Sequence, residues 1–491
     1  MGSTFTLLLT ILGCLASTCV VSLDVGIINS LNVMESFSNY FELDATLKGL
    51  NVSILYAGCV FAVPITGWVL DRWGRRRGLM IGASITLVGA ILQASAQEKI
   101  QLLIGRFLLG ISFVITATGA PSLLMEVAPP SHREEITNAM IACLPATGTI
   151  GTIVYLGIYN SESNWAWRAG LMVDLVGPVL ALLVLPFTPE SIRWLVSQGQ
   201  TDEALRVLAK VRDVKDDNAE LLMEFNQIKQ TIETEIQMNQ GNLWRTLMKP
   251  AQNFRRFLLT ILTNIFYQTN GATFVPYFFT IIIQASGVTE TSSLLKVNVG
   301  LSAWATLSSI SGIFLISKMG RKAVLLFGTA VISLSYATLA ILQQRIETTH
   351  EKSYAMGAVA LCFIFYWATF TSWMLLAYSY PPEILKYSQR ARGVGAGQAI
   401  GYAFGTAMTY TVPIAIERIS WKYYIINCLW NIPIFAIIWW TFPETKGRTL
   451  EEIDAIFNGS ADDSYMSVIT GRSVSIVQGK ELEERKTSTL N

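Results

Sequence analysis

Two ionisable residues stand inside long apolar stretches, and their types suit proton chemistry. Asp24 lies in the run Ser22-Leu23-Asp24-Val25-Gly26-Ile27, and Arg106 in Gly105-Arg106-Phe107-Leu108-Leu109-Gly110. A charge within an apolar span costs about 2.5–3.5 kcal/mol or more, and such residues usually mark a pathway. Paired, the two offset each other. Burial and a neighbouring Arg act in opposite directions on a carboxyl, so such an acid can exchange a proton in the physiological range. A proton on Asp24 would then release Arg106 and bias a conformational equilibrium. The alternative is an ion pair with a structural role only. Asp174 is another acid in an apolar stretch, either structural or a second titrating group.

Other charges come in matched sets. Asp71-Arg72-Trp73-Gly74-Arg75-Arg76 is echoed by Ser317-Lys318-Met319-Gly320-Arg321-Lys322. Glu126 with Arg133 is echoed by Glu383 with Arg390, and Pro189-Glu190-Ser191 by Pro443-Glu444-Thr445. Each echo comes about 250 residues later, which implies a duplicated unit. Parallel repeats around a midplane site are one plan for molecules that expose a site alternately to either side. Ion pairs among these residues could latch the two halves together at one end. The plainer alternative is that the basic residues only hold loops on one side of a membrane.

The elements that carry these residues follow from composition. The chain has 491 residues, 52% hydrophobic and 14% charged, with a net charge of +1. Soluble domains carry about 25% charged residues. A disordered chain, a nucleic-acid binder and most soluble enzymes are excluded. A bilayer core needs roughly 20 apolar residues per helix. Twelve stretches qualify, near 5–28, 47–70, 78–96, 100–124, 135–157, 166–188, 254–283, 292–316, 323–343, 354–380, 393–416 and 423–442. The expected architecture is an all-α membrane protein of twelve spans in two pseudo-symmetric six-helix bundles. The first stretch is expected to stay as a helix. Lys and Arg gather in alternate loops, most densely at Arg72, Arg75, Arg76 and Arg77, which places both termini in the cytosol. The divisions are 1–188 for the first bundle, 189–253 for a polar intracellular segment, 254–443 for the second bundle and 444–491 for a tail. The polar segment has helical periodicity in Ala204, Leu205, Leu208 and Val211. It is either a set of short amphipathic helices or a plain linker. The six cysteines form no CxxC pair and read as buried small hydrophobes, with no metal site.

These residues also resemble a known family. Gly67-Trp68-Val69-Leu70-Asp71-Arg72-Trp73-Gly74-Arg75-Arg76 is similar to the major facilitator signature. Pro189-Glu190-Ser191-Ile192-Arg193-Trp194 and Pro443-Glu444-Thr445-Lys446-Gly447-Arg448 resemble the two sugar-porter signatures. The pattern as a whole is similar to fungal sugar porters of the lactose-permease and hexose-transporter type. The resemblance implies the major facilitator fold, alternating access and a sugar or sugar-like substrate. It implies that Asp24 is the proton-coupling acid, since symporters carry an Asp in that context. No cofactor is implied, only a proton as coupling ion.

The resemblance also points to substrate residues. Tyr267-Gln268-Thr269-Asn270-Gly271-Ala272-Thr273-Phe274-Val275-Pro276-Tyr277-Phe278 resembles the family's Gln-Gln-x-Ser-Gly-x-Asn-x-x-x-Tyr-Tyr run. Gln268 matches its second Gln, Thr273 stands at its Asn, and Tyr277 matches its first Tyr. Gly401-Tyr402 stands at an Asn-Trp pair, Ile141 at an amide and Ala305 at an Asn. The predicted site is Gln268, Thr273, Tyr277, Tyr378 and Tyr402, poorer in hydrogen-bonding groups than the family pattern. The predicted cytoplasmic gate is Asp71, Arg72, Arg75, Glu126, Arg133, Glu190, Arg321, Glu383, Arg390 and Glu444. No Walker-type phosphate loop is present and no chemical step is expected. Two rivals remain. One is the same fold moving an organic acid, polyol or secondary metabolite. The other is a nutrient sensor that binds without transport. The remaining expectations are a plasma-membrane location, contact with lipid and a monomeric transport unit.

Overall fold

The computed structural model describes residues 3–32, 34–129, 133–160, 163–214, 218–238, 247–249, 251–271, 290–349, 351–448, 452–453 and 456–457. Its first half is built from α1 (Ser3–Leu31), a short α2 (Glu35–Tyr40), α3 (Ala45–Trp73), α4 (Arg75–Ala94), α5 (Lys99–Val127) and α6 (Arg133–Ile158). Its sixth span is α7 (Asn164–Met172) and α8 (Val176–Val184), joined through a 3-10 turn at Val173–Leu175. Three polar helices follow, α9 (Ile192–Ser197), α10 (Thr201–Arg212) and α11 (Ala219–Met238). The second half runs through α12 (Ala251–Thr269), α13 (Thr291–Met319), α14 (Arg321–Thr349), α15 (Lys352–Ala368), α16 (Met374–Ile384), α17 (Tyr387–Ile419) and α18 (Lys422–Thr441).

Among the described residues ten helices are long and apolar enough to cross a membrane. The ten, with α6 and α12, account for all twelve expected spans. The expected stretch beyond residue 271 lies outside the described residues. Apolar side chains such as Leu8, Phe61, Leu183 and Trp440 are exposed on the outside of the bundles. In water such a surface would aggregate, whereas lipid covers it without cost. The described part of the polar segment carries the helices α9, α10 and α11. Its α9–α11 share a small core of Trp194, Leu195, Leu208 and Phe225.

Small residues set the approach of the helices that carry the buried charges. Without a hydrophobic drive between helices in lipid, close packing of small residues takes over. A side chain on Gly148 of α6 would meet the Ser22 carbonyl of α1 at 2.6 Å, two residues before Asp24. Gly110 of α5 lies against the Leu55 carbonyl of α3, one turn beyond Arg106. These crossings seat α1 against α6 and α5 against α3 beside the two buried charges.

The halves meet along α3 with α17 and α6 with α13. At the end opposite the basic loops they touch closely. Gly49 abuts the backbone of Tyr410, and Asn298 Nδ2 donates to Ser30 Oγ at 3.1 Å.

Candidate functional site

Asp24 and Arg106 are both fully buried and pair directly. Arg106 Nη1 donates to Asp24 Oδ1 at 2.7 Å, and Arg106 Nε donates to the Asn51 carbonyl at 2.8 Å. Among the described residues the other carboxylate oxygen, Asp24 Oδ2, has no hydrogen-bond partner. Asp174 sits in the 3-10 turn of the sixth span. It too is buried, and among the described residues neither of its carboxylate oxygens has a hydrogen-bond partner. Two carboxyls and one guanidinium thus share the interior of the first half.

Beside this group the two halves build an aromatic wall around Tyr402 of α17. Tyr56 of α3 and Phe113 of α5 face it from the first half, each with ring centroids 6.3 Å away. From the second half Tyr378 of α16 hydrogen-bonds to it. Tyr378 in turn packs edge-on to Tyr267 of α12 at 6.2 Å. A π-helical turn at Thr369–Trp373 precedes α16. Such a turn adds a residue and rotates the helix beyond it; here it leads into the helix that carries Tyr378. Gln268 is buried next to Gly405, where an added side chain would meet its Oε1 and the Tyr56 ring at 2.9 Å. Among the described residues Gln268 Oε1 has no hydrogen-bond partner.

Of the predicted substrate residues, Gln268, Tyr378 and Tyr402 therefore come together at the junction of the halves. Thr273 and Tyr277 lie outside the described residues. Tyr56 and Phe113 were not singled out by sequence. Nothing in their spacing separates them from other aromatics in apolar spans. Ala305 is buried in α13 with no polar group to offer.

The charged motifs form two copies of one cluster, and each copy lies within its own half. In the first, Arg75 Nε is 3.8 Å from Glu126, Arg75 Nη1 is 3.7 Å from Asp71, and Ser191 Oγ donates to Glu126. In the second, Arg321 grips Glu383 with two nitrogens at 3.1 Å, and Thr445 Oγ1 donates to Glu383 at 2.6 Å. With the halves in contact at the opposite end, these ion pairs join, among the described residues, parts of the same half. The reason is geometric. The loop after the second span and the end of the fourth converge at the foot of their own bundle. Arg72 is exposed, and Arg390 is half-buried in α17. The Arg133 side chain lies outside the described residues.

Glu190 and Glu444 have a role that the repeat did not disclose. Glu190 accepts the Arg76 N–H at 2.9 Å, and Glu444 accepts those of Arg321 and Lys322 at 2.8 and 3.0 Å. Each carboxylate thus caps the first turn of a long helix, where the helix dipole favours a negative charge. The glycine before each helix has positive φ, +91° at Gly74 and +93° at Gly320, and a side chain there would strike the capping carboxylate. Such caps are worth about 1 kcal/mol. Glu190→Ala and Glu444→Ala should each lower the melting temperature of the detergent-purified protein by about 1–2 °C, with Gln recovering part. Unchanged melting in both would show that the caps carry no stability.

A family model described as "Sugar (and other) transporter" matches residues 9–457. The MFS-type transporter oryC of Aspergillus oryzae is 25% identical over 462 residues, covering 91% of this chain and 84% of that protein. The high-affinity glucose transporter of Kluyveromyces lactis is 27% identical over 461 residues, covering 88% and 82%. The inward-open structure of the xylose transporter XylE from E. coli superimposes with a TM-score of 0.75 at 19% identity, covering 92% of this chain and 99% of that one.

Proposed function

Since the chain belongs to the sugar (and other) transporter family and is a multi-pass membrane protein, we propose that it carries a sugar or sugar-like molecule by alternating access, coupled to a proton. The observation that supports coupling is one of contiguity. Phe113 borders the Asp24 cavity and also faces Tyr402 at the junction of the halves. Asp24 is the proton-coupling acid and Arg106 its counter-ion. Gln268, Tyr378 and Tyr402 hold the substrate together with Tyr56 and Phe113, and Thr273 and Tyr277 complete the site. Aromatic faces suit ring carbons and the amide suits a hydroxyl. The Arg75–Glu126 and Arg321–Glu383 clusters keep the cytoplasmic foot of each half rigid while the halves rock. Arg72, Arg133 and Arg390 belong to the same gate. The protein works as a monomer, surrounded by lipid in the plasma membrane, with both termini in the cytosol.

A second reading concerns the cargo. Gln268 Oε1 has no hydrogen-bond partner among the described residues, while the Asn264 amide nitrogen donates to its own helix. Tyr267 donates to Met374 Sδ, and Tyr378 bonds Tyr402. A wall so apolar favours a sparsely hydroxylated metabolite over a hexose.

Uptake of labelled D-glucose and D-xylose into yeast lacking its own hexose carriers tests both readings. Uptake that is stronger at acid pH and abolished by a protonophore is the expected result. No uptake of either sugar with protein at the cell surface would overturn the sugar reading and leave the metabolite reading to an organic-solute panel.

A further inference from the structure

Below Asp24 lies a small cavity within the first half, lined by Ser17, Asp24, Thr86, Ser112, Phe113 and Thr116 with a few apolar side chains. It has room for about one water molecule. The four hydroxyls come from three helices. Each donates to a carbonyl of its own helix: Ser17 to Cys14 at 2.8 Å, Thr86 to Gly82 at 3.0 Å, Ser112 to Leu109 at 2.9 Å and Thr116 to Ser112 at 3.1 Å. Their hydrogens are therefore spent and their lone pairs remain. The carboxylate oxygen Asp24 Oδ2 also lacks a donor. A pocket of acceptors around an unpartnered carboxylate is complementary to a species that brings hydrogens. A water needs two to four polar partners to settle in a buried site, and this cavity supplies them.

The lining has a direction. Ser17 lies seven residues before Asp24 on α1, and Thr116 ten residues after Arg106 on α5. At 1.5 Å of rise per residue both lie about two helical turns or more nearer the end of the basic loops. Phe113 stands between this cavity and Tyr402, so the cavity lies behind the substrate wall.

We infer that this hydroxyl-lined cavity holds the water through which Asp24 exchanges its proton with the cytoplasmic side, by a path inside the first half that is separate from the substrate's. The inference rests on the reading of Asp24 as the coupling acid. The exchange is a simple relay. The proton leaves Asp24 Oδ2 for the water, and the water gives up one of its own protons to solvent water on the cytoplasmic side, which leaves Asp24 as the carboxylate and the cavity water unchanged. The ionisable groups around Asp24 are Arg106 on α5, Tyr155 on α6 and Asp174 in the sixth span. The third and second spans contribute neutral groups, Thr86 and Asn51.

The test uses the full-length protein reconstituted in lipid vesicles, with no substrate. Infrared difference spectra follow the protonated-carboxyl band after a switch from light to heavy water. Loss of the band in Asp24→Asn assigns it. Ser112→Ala combined with Thr116→Val should keep the band and slow its deuteration by roughly tenfold. Thr86→Val, from another helix, should slow it as well, and Thr118→Val on the exposed face of α5 should not. Deuteration at the wild-type rate in both cavity variants would overturn the inference. An Asp24 band missing at every pH in the wild-type protein would instead overturn the coupling reading on which it rests.

Discussion

Asp24→Asn should abolish uphill accumulation of substrate while leaving exchange between labelled and unlabelled substrate intact. The asparagine keeps an oxygen for Arg106 Nη1, which now bonds Asp24 Oδ1 at 2.7 Å. The bundle therefore keeps its hydrogen bond but loses the group that can gain and lose a proton. A potential of 100 mV is worth about 2.3 kcal/mol per charge, a concentration ratio of roughly fifty. In Asp24→Asn that ratio should fall to about one. Exchange needs only the loaded carrier to rock, so counterflow persists. The reverse change, Arg106→Leu, should be worse for folding. Removing one partner of a buried pair costs about 3–5 kcal/mol, because it strands the other charge. Accumulation that stays protonophore-sensitive in Asp24→Asn would remove Asp24 from the coupling step. It would make Asp174, buried in the same interior, the next acid to replace.

What the sequence revealed and what it hid divide along physical lines. The spans were legible because the bilayer demands length and apolarity in one continuous run, and nothing else in a chain looks like that. The partnership of Asp24 and Arg106 was legible because two opposite charges in apolar surroundings have few other ways to be tolerated. The duplicated clusters were visible as repeated letters. Their geometry was not. Whether Glu126 reaches Arg75 of its own half or a residue of the other depends on how helix ends converge, which is a tertiary matter. The capping by Glu190 and Glu444 was hidden for a related reason. Their partners are backbone N–H groups, which carry no signature in the sequence. Tyr56 and Phe113 were hidden because an aromatic in an apolar span reads as packing until the other half brings Tyr402 against it.

Gly49→Leu should stop transport by holding the outer ends of the halves apart. Gly49 opens the second turn of α3, and a side chain built there would lie 2.5 Å from the Tyr410 carbonyl oxygen of α17. That neighbour is backbone in the middle of a helix turn and cannot swing aside. Overpacking of this kind costs about 1–3 kcal/mol. The cost falls only on the state in which the outer ends meet, so it shifts the balance toward outward opening by about 5- to 150-fold. The Asn298–Ser30 hydrogen bond crosses the same junction, and it should break in the variant. A cysteine placed at Ser30, now buried, reports this directly. Its reaction with a membrane-impermeant maleimide from outside should accelerate in step with the loss of uptake. Gly67→Leu supplies the control, since Gly67 lies on the same helix with nothing within 4 Å of a new side chain. If Gly49→Leu transports and labels like wild type, the α3–α17 contact is packing that rides along with the motion. If labelling rises and uptake falls while Gly67→Leu does neither, a single missing side chain at Gly49 is what permits the outer gate to close.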